Sequence, residues 1–345
     1  MASIGEIFPD DRRTAAQMEA LLQREGIRRD KNLDYSCGAF DDDGTLIATG
    51  SCFKNTLRCL AVSSAHRGEG LMNQVVSHLL DREIRQGCSH VFLYTKEKNA
   101  GIFEDLGFYE IARVEDELVF LENRRGGFPG FLKRLEKTRR EGRSAAVVMN
   151  ANPFTLGHRH LVETAAAEND WVHLFLLSEE AGPIPFQVRK QLVLEGIAGL
   201  NNVIFHESGP YIISSATFPS YFLRDEDAAI LAHAKLDLAV FGRIAAALGV
   251  TARYAGAEMS SHVTALYNQV MAERLPGRGI AFREIPRLVL QGETVSASRF
   301  RQAIHAGRPE QALFMLPEAA RKYFESPEAR PVLEAIRNMD EAGHY

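Results

Sequence analysis

Residues 145–165 read AAVVMNANPFTLGHRHLVETA, and this stretch decides how the second half of the chain folds. An apolar run leads into a loop with Asn152 and Thr155, after which Gly157 and His158 open a segment of helical periodicity. The first turn of a helix offers free N–H groups and the positive end of the helix dipole, which bind phosphate. We expect Asn152 and Gly157 to line a polyphosphate site. His158 is either a phosphate donor there or an ordinary cap or surface residue.

The sequence around this stretch alternates between apolar strands and helical segments. Strands are predicted in SAAVVMN, WVHLFLLS, NNVIFHE, DLAVFG and IAFREIP, at 144–150, 171–178, 201–207, 237–242 and 280–286. Strands that alternate with helices form a parallel sheet with covered faces. Such sheets bind ligands at the carboxyl ends of their strands. We therefore expect an α/β domain with its site at that edge of the sheet.

A second candidate for phosphate contact is SASRFR, residues 296–301. Ser296 is placed to cap a helix, while Ser298 and Arg301 lie three residues apart on nearly the same face of it. Hydroxyls and a guanidinium together form a phosphate clamp. The alternative is an ordinary serine cap beside a solvated arginine.

These two segments resemble the nucleotidyltransferase superfamily. TLGH is similar to its T/HxGH motif, and VSASRFR, residues 295–301, is similar to its ISSTxxR motif. The resemblance implies a Rossmann-like fold that binds ATP, with Mg²⁺ bridged by the phosphates, and a reaction at the α-phosphate that releases pyrophosphate. It also implies that Thr155 and His158 contact the reacting phosphate. The β and γ phosphates would be held by Ser296, Ser298 and Arg301.

Residues 144–310 resemble one family within that superfamily, the citrate lyase ligases. The similarity extends to SSATFPSYFLR (214–224), to RYAGAEMSSHVTALYNQ (253–269) and to the EIPR that precedes VSASRFR. It implies acetate as the substrate, an acetyl-adenylate intermediate, and the prosthetic-group thiol on the acyl carrier subunit of citrate lyase as the acceptor. Glu258 is placed among the ATP contacts, although this chain has Met259 where the superfamily has a proline.

Three side chains near these motifs have two interpretations each. Arg189 and Lys190 on a predicted helix either approach phosphate or form a solvated helix face. Arg224 follows the aromatic run FPSYF. It either pairs with a small carboxylate or caps the end of a helix. Thr217 is a weaker candidate for the same region.

The first half of the chain predicts a smaller sheet. Two apolar runs flank DDDG, residues 41–44, and Asp-Gly supplies the left-handed turn of a hairpin. Further elements are expected in order: a strand at 56–62, a helix at 71–85, a strand at 91–95, a short helix ending near Gly107 and a closing strand at 114–122. Arg67, Gly68 and Gly70 stand at the turn into the first helix, where N–H groups form a cradle for pyrophosphate.

The hairpin, the RGEG loop and NAGIFEDLGF (99–108) together resemble the GNAT acetyltransferase family over about residues 30–122. The resemblance implies an α+β domain that binds coenzyme A by its pyrophosphate, with the pantetheine arm between splayed strands. The last small residue of the family's loop is Met72 here. Glu69, Glu97 and Glu104 are most simply surface charges and supply no placed general base. We interpret this half as a docking module for a coenzyme-A-like arm.

Residues 124–143, RRGGFPGFLKRLEKTRREGR, separate the two halves. We assign a GNAT-like domain to 1–125, a basic and partly helical linker to 126–143, and a nucleotidyltransferase-like domain to 144–345. The basic charge of the linker is either a solvated surface or a functional patch, and composition alone does not decide between them.

Composition limits the partners of the chain. It has 345 residues, 46% hydrophobic and 25% charged, with a net charge of −5, which suits a globular protein with two cores. The acidic balance disfavours nucleic acid and anionic membranes. No apolar run approaches the ~20 residues of a membrane span. The N-terminus lacks a secretory pattern, and the four cysteines lack metal or redox spacing, so we expect reduced thiols in the cytoplasm.

One kind of reaction would need both halves. In it, a carboxylate is activated on the α-phosphate of ATP, and a thiol then captures the activated acyl group. Holding the mixed anhydride in place would protect it from water. Two alternatives stay open at this point. One is an adenylyltransferase that acts on a phosphorylated nucleophile, and the other is a non-catalytic sensor of acyl-CoA and nucleotide.

Overall fold

The computed structural model describes residues 3–180, 182–212, 218, 226–257 and 261–339. The chain divides into two compact units. The first comprises the described residues up to Gly130 together with residues 226–239, and the second comprises the rest. The predicted fold class is confirmed, because a mixed sheet is followed by a parallel sheet covered by helices.

A seven-stranded sheet forms the first unit. Its strands are β1 (Ser3–Glu6), β2 (Tyr35–Phe40), β3 (Leu46–Phe53), β4 (Thr56–Val62), β5 (Phe92–Lys96), β6 (Tyr109–Val114) and β7 (Leu118–Glu122). They lie in the order β1-β2-β3-β4-β5-β7-β6. The helices are α1 (Arg12–Arg24), α2 (Leu71–Arg85) and α3 (Ala100–Asp105). The hairpin β2–β3 and the helix α2 confirm the sequence prediction.

The closing strand of this unit was wrongly predicted. Residues 114–122 are the end of one strand and the whole of another, since β6 and β7 form an antiparallel hairpin. The chain turns at Asp116, which has a φ of 60°. The strand β6 was missed because several of its side chains are exposed or polar, so the apolar alternation that identifies a half-buried strand is weak there.

Strands β4 and β5 are neighbours for only a short distance. They pair in parallel at Thr56 with Phe92 and at Leu57 with Leu93, and no further pair continues the ladder in the described residues. The remainder of β4 pairs with β3 on its other side. The two strands therefore diverge, as the resemblance to GNAT enzymes implies.

Part of the stretch assigned as a linker is a helix, α4 (Gly127–Glu136). Phe128, Phe131 and Leu135 are buried. Their spacing places them on one face of the helix. The basic residues of the stretch are exposed, so α4 is amphipathic.

A five-stranded parallel sheet forms the second unit, in the order β10-β9-β8-β11-β12. Its strands are β8 (Ser144–Met149), β9 (Trp171–Leu176), β10 (Val203–Glu207), β11 (Val250–Gly256) and β12 (Ala281–Ile285), followed by a short hairpin of β13 (Val289–Leu290) and β14 (Glu293–Thr294). Its helices are α5 (Leu156–Glu168), α6 (Phe186–Gly196), α8 (His262–Arg274), α9 (Ala297–His305), α10 (Glu318–Glu325) and α11 (Arg330–Arg337), and α7 (Glu226–Leu248) precedes β11. The strand order reverses at β8, which opens a crevice at the carboxyl ends of β8 and β11.

The predicted strand at 237–242 is wrong, because these residues lie inside the 23-residue helix α7. Leu236, Val240 and Ile244 are buried at helical spacing. A short apolar run has the same appearance in a buried helix as in a buried strand. The place in the sheet is taken by β11, which pairs with β8 and β12.

Two histidines form a buried pair between β9 and β10. Nδ1 of His173 lies 2.9 Å from Nε2 of His206, and both side chains are buried. Burial lowers the pKa of His173 to about 4 and that of His206 to about 3. Both residues are therefore neutral at pH 7, and one donates a hydrogen bond to the other.

This pair predicts acid sensitivity of the second unit. Both pKa values lie below the ordinary 6.5 of an unfolded chain, so the unfolded state binds more protons and the free energy of unfolding falls as the pH drops from about 6.5 toward 4. Each proton contributes about 1.4 kcal/mol per pH unit. His206→Phe, which keeps an aromatic ring beside Phe175, should reduce this slope in thermal unfolding measured at several pH values. An unchanged slope would show that the pair does not titrate on unfolding.

All four cysteines are free thiols, and Cys37, Cys52 and Cys59 are buried in the first unit. Burial raises the pKa of Cys37 and of Cys59 to about 12, and it raises the pKa of Cys88 as well. In the described part of the chain, no helix has the length and apolar character needed to cross a membrane.

Candidate functional site

The first turn of α5 is braced by a reciprocal cap. The hydroxyl of Thr155 accepts the backbone N–H of His158 at 3.4 Å. Nδ1 of His158 accepts the backbone N–H of Thr155 at 3.1 Å and lies 2.9 Å from the Thr155 hydroxyl oxygen. Because Nδ1 accepts in this capping box, we assign the proton of the neutral imidazole to Nε2. The Nε2–H group is the donor that His158 can offer a ligand.

His158 is neutral near pH 7. The residue as a whole is half-buried. Burial lowers the pKa of its imidazole to about 4, and the positive charges of Arg287 and Arg301 act in the same direction. Loss of solvation penalises the charged form of an imidazole. His158 is therefore a neutral hydrogen-bond donor at the start of α5.

Arg301 joins the starts of α5 and α9. Nη1 of this buried arginine donates to the backbone carbonyl of Asn152 at 2.6 Å, and Nη2 donates to the hydroxyl of Ser298 at 3.4 Å. Ser296 caps α9, since its hydroxyl accepts the backbone N–H of Arg299 at 3.1 Å. The predicted cap is confirmed, and Ser298 and Arg301 lie on the same face of α9 as predicted. The alternative of a solvated arginine is wrong, because Arg301 is buried. Both helix starts thus lie at one place.

Gly157 marks the closest approach between these two segments. A β-carbon at this position would lie 3.2 Å from the carbonyl oxygen of Val295. Val295 is held in turn by its N–H group, which donates to the carbonyl of Leu288 at 2.9 Å. The neighbour seen in the structure is the Val295 backbone, and contact of Gly157 with phosphate stays a prediction. The glycine lets the start of α9 sit against α5.

Asn152 is a buried polar side chain, 3% exposed. Within the described ranges, neither its Oδ1 nor its Nδ2 atom has a hydrogen-bond partner. The amide lies against Gly182, where any side chain would overlap it. An unpaired buried amide costs about 1–3 kcal/mol, and such groups are rare in proteins. This arrangement is suited to contact with a ligand.

Arg287 is the residue that sequence analysis missed. Its Nε atom donates to the carbonyl of Ala257 at 2.7 Å. Among the charged groups that lower the pKa of His158, Arg287 acts more strongly than Arg301. It follows β12 closely, at the carboxyl edge of the sheet. The available signal was a cation just beyond a predicted parallel strand, within the EIPR motif.

Contacts also settle the two interpretations of Arg189 and Lys190. Arg189 is buried, and its guanidinium donates to four main-chain carbonyls: those of Asn150, Leu177, Glu179 and Ile184. Both the phosphate contact and the solvated face are wrong for Arg189, because loop carbonyls use its donors. Lys190 lies on the surface and pairs with Glu207 at 2.7 Å.

Three candidates from the sequence lie outside the residues that the structure describes. They are Glu258, Thr217 and Arg224. Phe218, which belongs to the same motif as Arg224, is described and is buried. Among the residues that the structure does describe, no three His, Cys, Asp or Glu side chains are grouped so as to hold a metal ion.

The RGEG loop of the first unit is an open turn before α2. Gly68 and Gly70 have φ values of 86° and 74°, and no atom lies within 4 Å of a β-carbon built at either position. Gly70 is the N-cap of α2. Arg67 is exposed and pairs with Glu25 at 2.7 Å. The turn therefore leaves room beside the start of a 15-residue helix, as a diphosphate cradle requires.

Comparison with known proteins covers both units. Residues 144–324 match the family described as citrate lyase ligase C-terminal domain, and residues 1–108 match the acetyltransferase (GNAT) family. Three proteins named citrate (pro-3S)-lyase ligase are similar to this chain. They come from Klebsiella pneumoniae (40% identity, covering 74% of this chain and 77% of the relative), Escherichia coli K12 (38%, covering 76% of each) and Haemophilus influenzae (33%, covering 86% and 91%).

Proposed function

This chain belongs to the citrate lyase ligase family, and from that premise we propose the reaction that it carries out. The enzyme activates acetate with ATP as acetyl-adenylate and releases pyrophosphate. It then acetylates the thiol of the prosthetic group on the acyl carrier subunit of citrate lyase, which activates the lyase. Similarity to three citrate (pro-3S)-lyase ligases over most of the chain supports the overall activity. The adenylate intermediate is the more specific part of the proposal.

The observation that carries the proposal is the meeting of two helix starts. His158 at the start of α5 and Arg301 on α9 lie close together. The guanidinium of Arg301 donates a hydrogen bond to the loop that leads into α5, so it and the Nε2–H of His158 can contact the same ligand. Backbone N–H groups at both starts add to this positive surface. A triphosphate is the ligand whose length and charge suit such a surface.

The first step needs no general base, because acetate is already an anion. One acetate oxygen attacks the α-phosphorus, the bond from that phosphorus to the bridging oxygen of the β-phosphate breaks, and pyrophosphate departs with the electron pair. Catalysis then rests on positioning and on electrostatic stabilisation of the developing charge. His158 supplies a neutral donor to the phosphoryl oxygens, while Thr155 holds its ring through the cap.

The remaining residues hold the nucleotide. Ser296, Ser298 and Arg301 bind the β and γ phosphates, and Asn152 and Gly157 line the same site. Mg²⁺ bound together with ATP would neutralise phosphate charge. We assign it no protein ligand.

The second step is thiol capture. The sulfur attacks the acetyl carbon, the bond between that carbon and the phosphate oxygen of the adenylate breaks, and AMP leaves while the thiol proton passes to water. In this proposal the first unit docks the arm of the acceptor, with its diphosphate at Arg67, Gly68 and Gly70 and its pantetheine part between β4 and β5.

Acetate-dependent exchange of labelled pyrophosphate into ATP tests the first step directly. We expect exchange with acetate and ATP alone, without the carrier. Exchange that depends on a phosphorylated nucleophile and not on acetate would instead identify an adenylyltransferase. Binding of ATP with no exchange at all would identify a sensor.

A substitution in the RGEG loop separates the roles of the two units. Arg67→Ala combined with Gly70→Val should raise the KM for the acceptor and leave pyrophosphate exchange unchanged. An unchanged KM for the acceptor would exclude this loop as the docking site.

Gly182→Ala tests the contact assigned to Asn152 without altering that residue. The new methyl group must displace the Asn152 amide, so the KM for ATP should rise by about tenfold, as expected for one lost hydrogen bond. Asn152→Ala should have a similar effect. Gly199→Ala is the matched control, because nothing lies within 4 Å of a β-carbon there. If Gly182→Ala behaves like Gly199→Ala, the amide does not contact ATP.

A further inference from the structure

The proposed reaction assigns no role to Arg287, although this residue lies at the carboxyl edge of the parallel sheet. Arg287 follows β12, which is an edge strand. A side chain at an edge can extend into solvent, but Nε of Arg287 donates to the carbonyl of Ala257 at 2.7 Å. Ala257 comes directly after β11, the neighbouring strand. The guanidinium therefore reaches back over the sheet.

The carbonyl that Arg287 binds belongs to a braced turn at the end of β11. The N–H group of Ala257 donates to the carbonyl of Ile285 at 2.8 Å. The carbonyl of Gly256 accepts a hydrogen bond from Nδ2 of the buried Asn268 at 3.1 Å. Three main-chain groups of this turn thus have partners, counting the carbonyl of Ala257. Because its acceptor is fixed, Arg287 is positioned before any ligand arrives, as electrostatic catalysis requires.

The guanidinium of Arg287 lies near His158. In the sheet, β11 stands between β12 and β8, and neighbouring strands are about 4.8 Å apart. A side chain that starts beyond β12 and contacts Ala257 has crossed this spacing toward β8, whose loop leads into α5. The positive charge of Arg287 lowers the pKa of His158 more strongly than that of Arg301 does. Charge interactions weaken with distance, so this effect agrees with the topology.

We propose that Arg287 is a catalytic residue that contacts the α-phosphoryl group of the nucleotide. This inference rests on the proposed function, in which that group belongs in turn to ATP, to acetyl-adenylate and to AMP. His158 offers the group a neutral donor, and Arg301 is assigned to the β and γ phosphates. The fixed guanidinium of Arg287 adds a positive charge, which stabilises the negative charge that develops as pyrophosphate leaves.

Acetate is the other anion that comes to this place, and a guanidinium binds carboxylate and phosphate alike. The α-phosphoryl group is favoured because it stays in the site through both steps, whereas the acetyl group leaves on the thiol. The two contacts differ in what they predict. Loss of a phosphate contact weakens the binding of AMP, while loss of a carboxylate contact raises the KM for acetate.

Calorimetric titration of the full-length enzyme with parts of the nucleotide tests the contact. AMP carries the α-phosphate, adenosine has no phosphate, and pyrophosphate stands for the β and γ groups. Arg287→Gln removes the charge, and Arg287→Lys keeps a charge without the Nε–H that binds Ala257. Arg283→Gln is the matched control, since Arg283 is an exposed cation on β12. The KM for acetate and the rate of pyrophosphate exchange are measured for each variant.

We expect Arg287→Gln to raise the Kd for AMP by about tenfold or more, as for one lost hydrogen bond to a charged group. The Kd for adenosine should not change, and the Kd for pyrophosphate should rise less than that for AMP. The exchange rate at saturating ATP should fall by about 10²-fold. Arg287→Lys should bind AMP with an intermediate Kd, which a residue that only braces the turn would not show. Arg283→Gln should match the unaltered enzyme.

An unchanged Kd for AMP in Arg287→Gln would overturn the inference. Equal rises for AMP and adenosine would also do so, because they would indicate a general disturbance of the site. A raised KM for acetate with an unchanged Kd for AMP would assign the guanidinium to the carboxylate instead. If thermal denaturation shows that Arg287→Gln is unfolded, Arg287→Lys replaces it, and a Kd for AMP equal to that of the unaltered enzyme would exclude the contact.

Absence of acetate-dependent exchange in the unaltered enzyme would refute the proposed function. The titrations with AMP and adenosine do not depend on exchange and still report on Arg287. The two failures are therefore distinct.

Discussion

His158→Ala should lower the rate of acetate-dependent pyrophosphate exchange by about 10²–10³-fold, which is the usual cost of removing one donor from a site of developing charge. The reason lies in the capping box, where Nδ1 accepts from Thr155 and leaves Nε2–H as the donor. The affinity for ATP should change far less, because Arg301 and the helix starts remain. Exchange kinetics give the rate, and calorimetric titration with a non-hydrolysable ATP analogue gives the affinity.

His160→Ala is the matched control for this variant, since His160 lies on the same helix two residues further on. It should retain nearly full activity. Equal losses of rate and of ATP affinity in His158→Ala would show that the residue stabilises the ground state and the transition state alike. Because burial holds the pKa of His158 at about 4, we also expect no loss of rate from its deprotonation between pH 6 and 8. A rate that falls as the pH rises through this range would indicate a charged imidazole.

Arg189→Met should cause the largest loss of stability, about 3–5 kcal/mol in the free energy of unfolding of the second unit. The guanidinium donates to carbonyls in the loops that follow β8 and β9, including Asn150 at 2.8 Å and Leu177 at 2.9 Å. Methionine fills the space but leaves several buried carbonyls without a partner, each at a cost of about 1–3 kcal/mol. Thermal unfolding followed by Trp171 fluorescence reports on this unit.

Lys190→Met is the control at the next position. Its ion pair with Glu207 is partly exposed, and such pairs contribute about 0–1 kcal/mol. Arg189→Lys should fall between the two, because one ammonium group cannot reach all four carbonyls. Similar stabilities of Arg189→Met and Lys190→Met would mean that the loops are held by other contacts.

The local parts of the site were predictable from the sequence. Thr155 and Ser296 are good capping residues placed before helical segments, and the spacing of Ser298 and Arg301 is itself a contact rule for helices. Each of these features involves residues within one turn, so the pattern contains all the information. The same applies to the hairpin of β2 and β3, whose Asp-Gly turn fixes its geometry.

The parts that were missed depend on residues distant in the chain. Arg287 approaches His158 only because the segment after β12 folds back against α5. Arg189 donates hydrogen bonds to loop carbonyls, and no sequence pattern reveals the direction in which those carbonyls point. The strand predicted at 237–242 was wrong for a related reason. A short apolar run does not show whether it will itself form a helix or a strand.

The burial of Cys37 and Cys59 bears on the proposed acetyl-adenylate intermediate. Only a thiolate attacks such a group efficiently, and with a pKa of about 12 the thiols of Cys37 and Cys59 are almost never ionised at neutral pH. These two thiols are therefore poor targets for the proposed intermediate and should resist acetylation. The same property should make Cys37 and Cys59 slow to react with thiol-directed reagents in the folded protein.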